Sequence, residues 1–328
     1  MNESLRKKVD IFTDNNGFFL TKYKMQAGDI SVLMSFLFTV EGVSPDGEEL
    51  DKAEKILKEK TGLFSITRGV LKGVVLAKAV LSGDPAKYFD DLEMVYEKIR
   101  NGRIFERENE LLAAMVLLDY EGHLDADAMV KKIAEILKEM NDDHPILTDR
   151  DDTASAATLA LAFPERPASD IANEIDACYR ILKKSIGGMA SNETQTVAAI
   201  LTAVKGDVEK KCEKTLEIIE GLQEKKMLSV FSHALPYAGA LSALKKPAAG
   251  IVEDVEEIFG YLEGKAGFKG LRAGIDTRLI YAASFELMEN LKDSDYLGSF
   301  AQVDLAAIFV TQITVAAMSV AVASSSVM

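Results

Sequence analysis

The residues best equipped for chemistry in this chain occur in short polar groups that recur at a shared offset. Arg68-Gly69-Val70, Arg107-Glu108-Asn109, Arg150-Asp151-Asp152, Asn192-Glu193-Thr194, Ser232-His233-Ala234 and Asp276-Thr277-Arg278 each stand four to six residues ahead of a pair of small or β-branched residues. Brought together, these side chains could hold a polar small molecule or supply acid/base pairs. The candidate ligand-binding residues are therefore Arg68, Glu108, Asp151, Asp152, Glu193, His233 and Arg278. A plainer account competes with this one. Asp, Asn, Ser and Glu favour first helical turns because they cap backbone N–H groups and suit the helix dipole. Arg and Glu in facing groups can equally form structural ion pairs. Asp151-Asp152 is the least easily dismissed, since one carboxylate suffices for a cap.

Other chemistry has weaker support. His144, Asp151 or Asp152, and His233 could in principle bind a divalent metal, but no compact spacing such as HExxH brings them together. Cys178 and Cys212 lie in amphipathic patterns and read as buried spectators, not as nucleophiles. Arg68 could grip a carboxylate or phosphate bidentately, or pair with a neighbouring acid. There is no phosphate loop and no GxGxxG, so no cofactor is expected. Tyr96, Tyr179, Phe64 and Phe259 recur at packing positions and read as core.

The elements that would position these residues follow from a recurrence. Apolar segments centred on small residues appear as GVVLAKAV at Gly73, LAAMVLLD at Leu112, SAATLALA at Ser155, VAAILTAV at Val197, YAGALSAL at Tyr237 and YAASFELM at Tyr281. The second residues are Val74, Ala113, Ala156, Ala198, Ala238 and Ala282, at intervals of 39, 43, 42, 40 and 44. A weaker copy, VLMSFLFT, places Leu33 at 41 before Val74. Such a period indicates a repeat architecture. A little over twenty residues after each copy comes a second helical pattern, such as LEMVYEKI near Tyr96 or IDACYRIL near Tyr179. Its apolar residues fall at three- and four-residue steps with charges between them. Asp84, Asp125 and Asp207 are placed to cap such helices, with Pro85 in a first turn, and Gly62, Gly102 and Gly187 suit helix ends.

The repeat unit is a helical hairpin, and the chain holds about seven. The first helix of each unit is apolar or small nearly all round, so it must be buried on most faces. The second has one polar face and belongs at the surface. The pattern predicts an all-α, single-domain protein with two layers, either an α/α toroid or a tightly curved α-solenoid. Residues 1–19 form a lead-in helix, 20–298 the hairpins, and 299–328 an apolar C-terminal helix. Within the last, Leu305 to Ala323 is about as long as a bilayer span, yet its Thr and Gln residues and the lack of flanking charge favour a buried core helix. Paired small residues such as Ala113-Ala114 would permit close helix approach.

TGLFSITRG from Thr61 to Gly69, HPILTDRDD from His144 to Asp152, and the Ala-rich end resemble a bacterial family, domain of unknown function four thousand and three. The resemblance spans nearly the whole chain. It implies no activity, cofactor or substrate, and no functional residue carries over from it.

Composition narrows the partners. The 328 residues are 48% hydrophobic, and 52 acidic against 38 basic side chains leave a net charge of −14. That chain has no basic footprint for a phosphate backbone, so nucleic acid is excluded as a general partner. No apolar run follows the basic residues near Met1, so no secretory signal is read there. The expectation is a cytoplasmic protein that binds a peptide, a protein partner or a small polar ligand, without a membrane. The alternative is an α-toroid enzyme of hydrolase or lyase type using rim carboxylates.

Overall fold

The computed structural model describes residues 1–23, 28–63, 65–102, 108–119, 125–143, 152–185, 192–229, 232–266, 268 and 274–290. The described residues hold fourteen α-helices and one short 3-10 turn, Ile66–Arg68, with turns and connections between them and no β-strand. No helix among them is long and apolar enough to cross a membrane. The segment from Leu305 to Ala323, His123, His144 and Asp151 lie outside the described residues.

The helices are of two kinds that alternate along the chain. The odd-numbered ones are α1 (Glu3–Lys22), α3 (Gly47–Lys60), α5 (Pro85–Arg100), α7 (Ala126–Asp143), α9 (Ala168–Ser185), α11 (Val208–Glu224) and α13 (Ala248–Leu262). Each is amphipathic. In α9, Ile171, Ala172, Ile175, Cys178, Tyr179 and Leu182 are buried at helical spacing, while Lys183 and Lys184 mark its last turn. Starts are fixed by side-chain caps: Asn2 accepts from the Leu5 N–H at 2.8 Å, Asp46 from Glu48 at 2.7 Å, and Asp84 from Lys87 at 3.0 Å. Asp125 accepts from Asp127 at 2.9 Å and Asp207 from Lys210 at 3.1 Å. The α5 helix ends with Asn101 left-handed and Gly102 at φ +72°. Gly62 needs no such conformation, because Thr61 ends α3 in extended backbone. Gly187 is not among the described residues.

The even-numbered helices are α2 (Gly28–Val40), α4 (Lys72–Leu81), α6 (Glu108–Asp119), α8 (Thr153–Ala162), α10 (Asn192–Thr202), α12 (Leu235–Leu241) and α14 (Ile275–Asn290). These have no polar face. In α4 every residue from Gly73 to Ala79 is buried, and in α8 every residue except Ser155. Val74, Ala113, Ala156, Ala198, Ala238 and Ala282 are all 0% exposed. Each even helix packs on the odd helix before it. Contacts also run from α2 to α4, from the 3-10 turn to α6, and onward through α8, α10, α12 and α14. The odd helices pack in their own succession from α3 to α13. Small residues set some of these distances. A Cβ on Gly239 of α12 would lie 3.0 Å from Val197 Cγ1 on α10.

The two ends of this succession are in contact. Phe12 of α1 meets Tyr281 and Phe285 of α14 at ring-centroid distances of 5.1 and 5.3 Å, and Phe268 at 5.9 Å. Phe36 of α2 lies 5.5 Å from both Tyr281 and Phe285. A polar seam flanks the rings. Tyr261 Oη and Lys265 Nζ donate to Asp10 at 2.8 and 2.9 Å, Asn16 donates to the Ala266 carbonyl at 2.9 Å, and Lys8 Nζ lies 3.0 Å from Glu289.

Two stability outcomes follow. Phe12→Ala removes a fully buried ring from this junction, and chemical denaturation should show a loss of about 3–5 kcal/mol, the usual cost of such a cavity. Asp84→Ala and Asp207→Ala should each cost about 1 kcal/mol, because each removes one N-cap bond and nothing else.

Candidate functional site

Six of the seven residues singled out by type and spacing stand at, or just ahead of, the N-terminal ends of even-numbered helices. Arg68 closes the 3-10 turn before α4 and is half-buried, with no ion pair among the described residues. That turn packs on α6, whose first residue is the half-buried Glu108. Asp152 holds the N-cap position of α8, and Asp151 lies outside the described residues. Glu193 is in the first turn of α10, His233 just ahead of α12, and Arg278 in the first turn of α14.

The structure joins two of these directly. His233 Nδ1 lies 3.4 Å from Glu193 Oε1, linking the starts of two helices that pack against each other. The imidazole side chain is 45% exposed. Arg278 is committed elsewhere: its guanidinium sits 3.9 Å above the Phe259 ring and 3.2 Å from Glu263 Oε1. Phe259 and Glu263 belong to the end of α13, so Arg278 fastens one hairpin by charge and by cation–π attraction.

Three of the even-numbered helices start without the side-chain cap that five of the odd-numbered ones have. The N-cap residues Leu71 of α4, Asp152 of α8 and Ala234 of α12 make no side-chain cap bond. At α12 the Ser232 hydroxyl accepts instead from the Ala234 N–H at 3.0 Å. Next to the rim candidates in the chain lie further polar side chains, of which Thr194, Ser232 and Thr277 stand in the polar groups of the sequence and Thr67, Glu110, Thr153 and Gln195 do not. Thr67, Glu110, Thr153, Thr194, Gln195, Ser232 and Thr277 are all buried, and each lies within two residues of a rim candidate. Their signal was present as polar residues at the same offset. Which of two adjacent polar residues turns inward depends on helix rotation, about 100° per residue, which tertiary packing sets.

The C-terminal ends of the even helices are chemically different. Lysines close them, as a cation at a helix C-terminus is expected to do. Lys211 of α11 is buried and donates to the Leu201 and Val204 carbonyls at 2.7 and 3.2 Å, and it also pairs with Glu174. Lys214 donates to the Leu244 carbonyl, and Lys78 of α4 pairs with Asp119 at the end of α6. Lys246 lies 2.8 Å from both Asp254 and Glu286. Glu286, whose side chain is 3% exposed, also accepts from Asn290 at 2.8 Å. Burial pushes its carboxyl up to about 6, against the hydrogen bond and charge of Lys246, while Asp254 and Glu289 add to the rise.

Among the described residues no group of three or more His, Cys, Asp or Glu side chains could hold a metal ion. Cys178 and Cys212 are both buried.

A family model described as Protein of unknown function (DUF4003) matches residues 19–314. The chain belongs to this family. The DUF4003 match runs from the end of α1 through α14 and takes in every rim candidate. No curated protein and no solved structure matches the chain.

The Glu286 cluster gives a titration outcome. An acid whose folded pKa is raised contributes stability that is present below the unfolded value of 4.5 and lost as pH rises through about 6. NMR titration should therefore find the Glu286 carboxyl with a midpoint about 6, and Lys246→Met should move it higher. A midpoint at or below the ordinary glutamate value would contradict the burial argument.

Proposed function

We propose that the seven helix pairs close into an α/α toroid, with even-numbered helices inside and odd-numbered helices outside. We further propose that it is a binding or scaffold protein. Its ligand, a small polar molecule, a peptide or a protein partner, would be recognised at the N-terminal rim of the inner helices. Contact between α1–α2 and α14 supports closure, since an open array would leave those flanks in water. The observation that carries the binding reading is the contrast between the two ends of the inner layer. Lysines pair off the C-terminal end, whereas the N-terminal end presents Arg68, Glu108, Asp152, Glu193 and His233 over a buried polar layer. Polar side chains gathered at neighbouring helix starts are what a recognition surface needs. We place the protein in the cytoplasm, since two cysteines make no disulfide framework.

One observation favours the enzyme reading. Glu193 lies 3.4 Å from His233 Nδ1, and the exposed imidazole beside a carboxylate is the arrangement a general base would use. A hydrolase or lyase would use that pair at the rim.

A thermal-shift screen of small polar compounds and short peptides tests both. A ligand at a hundred times its Kd should add about 2.7 kcal/mol of stability. Glu193→Gln and His233→Ala should each weaken a small rim ligand about tenfold or more, or about 1.4 kcal/mol, and Arg68→Ala should do the same only to a peptide or protein that follows the whole rim, with little change in the melting of the free protein. Lys138→Ala, on the exposed face of α7, should not affect it. Ligands indifferent to all three rim variants would overturn the rim assignment. Turnover of a bound compound, lost in His233→Ala, would decide for the enzyme.

A further inference from the structure

The only two cysteines of the chain, separated by 34 residues, are neighbours in the outer layer. Cys178 lies on α9 and Cys212 on α11, two helices packed side by side. Cys212 Sγ is 4.0 Å from the Cys178 carbonyl oxygen, which places the two cysteines side by side across the α9–α11 contact. Both residues are 0% exposed. One turn earlier on α9, Glu174 pairs with Lys211, the residue before Cys212, and Lys211 is itself anchored to the Leu201 and Val204 carbonyls. The register of α9 against α11 is thus fixed by charge on one side and by the sulfurs on the other.

We propose that Cys178 and Cys212 are a redox-active pair that hydrogen peroxide converts to an intramolecular disulfide joining α9 to α11. Two thiols packed together have no need of each other for burial, which a single cysteine or an alanine would serve as well. Held together, they are a dithiol with its resolving partner already in place.

The two thiols have different parts in this chemistry. A hydrogen bond from Cys178 pulls the Cys212 thiol below its ordinary value, burial opposes this, and the Lys211 ammonium adds to the fall while Glu209 counters it. The Cys178 thiol is correspondingly pushed up, by the same hydrogen bond and by burial. We take Cys212, the residue that follows Lys211, as the attacking thiolate. Its sulfur bonds to one peroxide oxygen, the O–O bond breaks, and the departing hydroxide takes up a proton to leave as water. The Cys178 sulfur then attacks the sulfenic sulfur. The S–S bond forms, the S–O bond breaks, and the hydroxide leaves as water with the Cys178 proton. One peroxide is reduced to two waters and two thiols are oxidised to one disulfide. Full burial selects for an oxidant of this size, which enters by a local opening between the helices, and disfavours a bulky disulfide reagent.

The test uses the folded full chain, reduced, freed of reductant and exposed to hydrogen peroxide. It is then quenched, denatured and treated with N-ethylmaleimide. Untreated protein should take two labels. Oxidised protein should take none, weigh two hydrogens less, yield a linked peptide containing Cys178 and Cys212, and regain both labels after dithiothreitol. Cys178→Ser should leave Cys212 as a sulfenic acid that dimedone traps, while in Cys212→Ser the Cys178 thiol should survive the same exposure. Circular dichroism reports whether these near-isosteric variants fold, and the wild-type measurement stands without them. Wild-type protein that keeps two labels, gains oxygen irreversibly, or links only between molecules overturns the proposal.

Discussion

Seven helices without a polar face impose the central constraint on this protein. A helix such as α8, TASAATLALA, satisfies its own backbone but offers water almost nothing on any side, so other helices must cover it all round. Even-numbered neighbours cover two sides and an odd-numbered helix covers a third. The same demand falls on the first and last members of the succession. Phe36 on α2 and Phe285 on α14 are both 0% exposed, and they are so because they face each other and Phe12. End-to-end contact is what the burial of the flanking helices requires.

Once the middle of each even helix is buried on all sides, polar chemistry is confined to its ends. There the two ends diverge for an electrostatic reason. Carbonyls at a helix C-terminus attract cations, and lysine stems reach them from the odd-numbered helix α11 while remaining largely dry. Lys211 illustrates this, with its ammonium on two carbonyls of the α10 end and on Glu174. At the opposite end the described pairs are of another kind: Glu193 lies against His233, and Arg278 against Glu263 and the Phe259 ring.

Much of this was legible in the sequence. The interval of 39 to 44 residues, the small-residue pairs, and the caps at Asp84, Asp125 and Asp207 are local features, and local features survive in one dimension. What was not legible depends on residues distant in the chain. Asp10 with Tyr261 and Lys265, Asn16 with the Ala266 carbonyl, and the rings around Phe12 join segments some 250 residues apart. Arg278 read as a rim residue, but the register of α14 on α13 sets it over Phe259 and beside Glu263. Glu110 and Gln195 were overlooked for a related reason: helix rotation, which no single sequence reports, turns them inward. The cysteines read correctly as buried, but no spacing rule would have paired them, since α9 and α11 belong to different hairpins.

Geometry also limits what the proposed rim could hold. Packed helix axes lie about 8–10 Å apart, so seven in a ring have a circumference of roughly 60 Å and a diameter of about 20 Å by the same spacing. Residues on opposite sides, such as Glu108 and His233, would then be too far apart for one small molecule to touch both. A small ligand must be read by two or three neighbouring helix starts, while only a peptide or a protein surface could use the whole circumference. Among neighbouring starts, α10 and α12 have the advantage. Glu193 and His233 already meet across them, Thr194, Gln195 and Ser232 are buried directly beneath, and Gly239 lets the two helices approach more closely than a side chain would permit. On the proposed ring, a small ligand would therefore meet Glu193 and His233 together before any other two of the candidates.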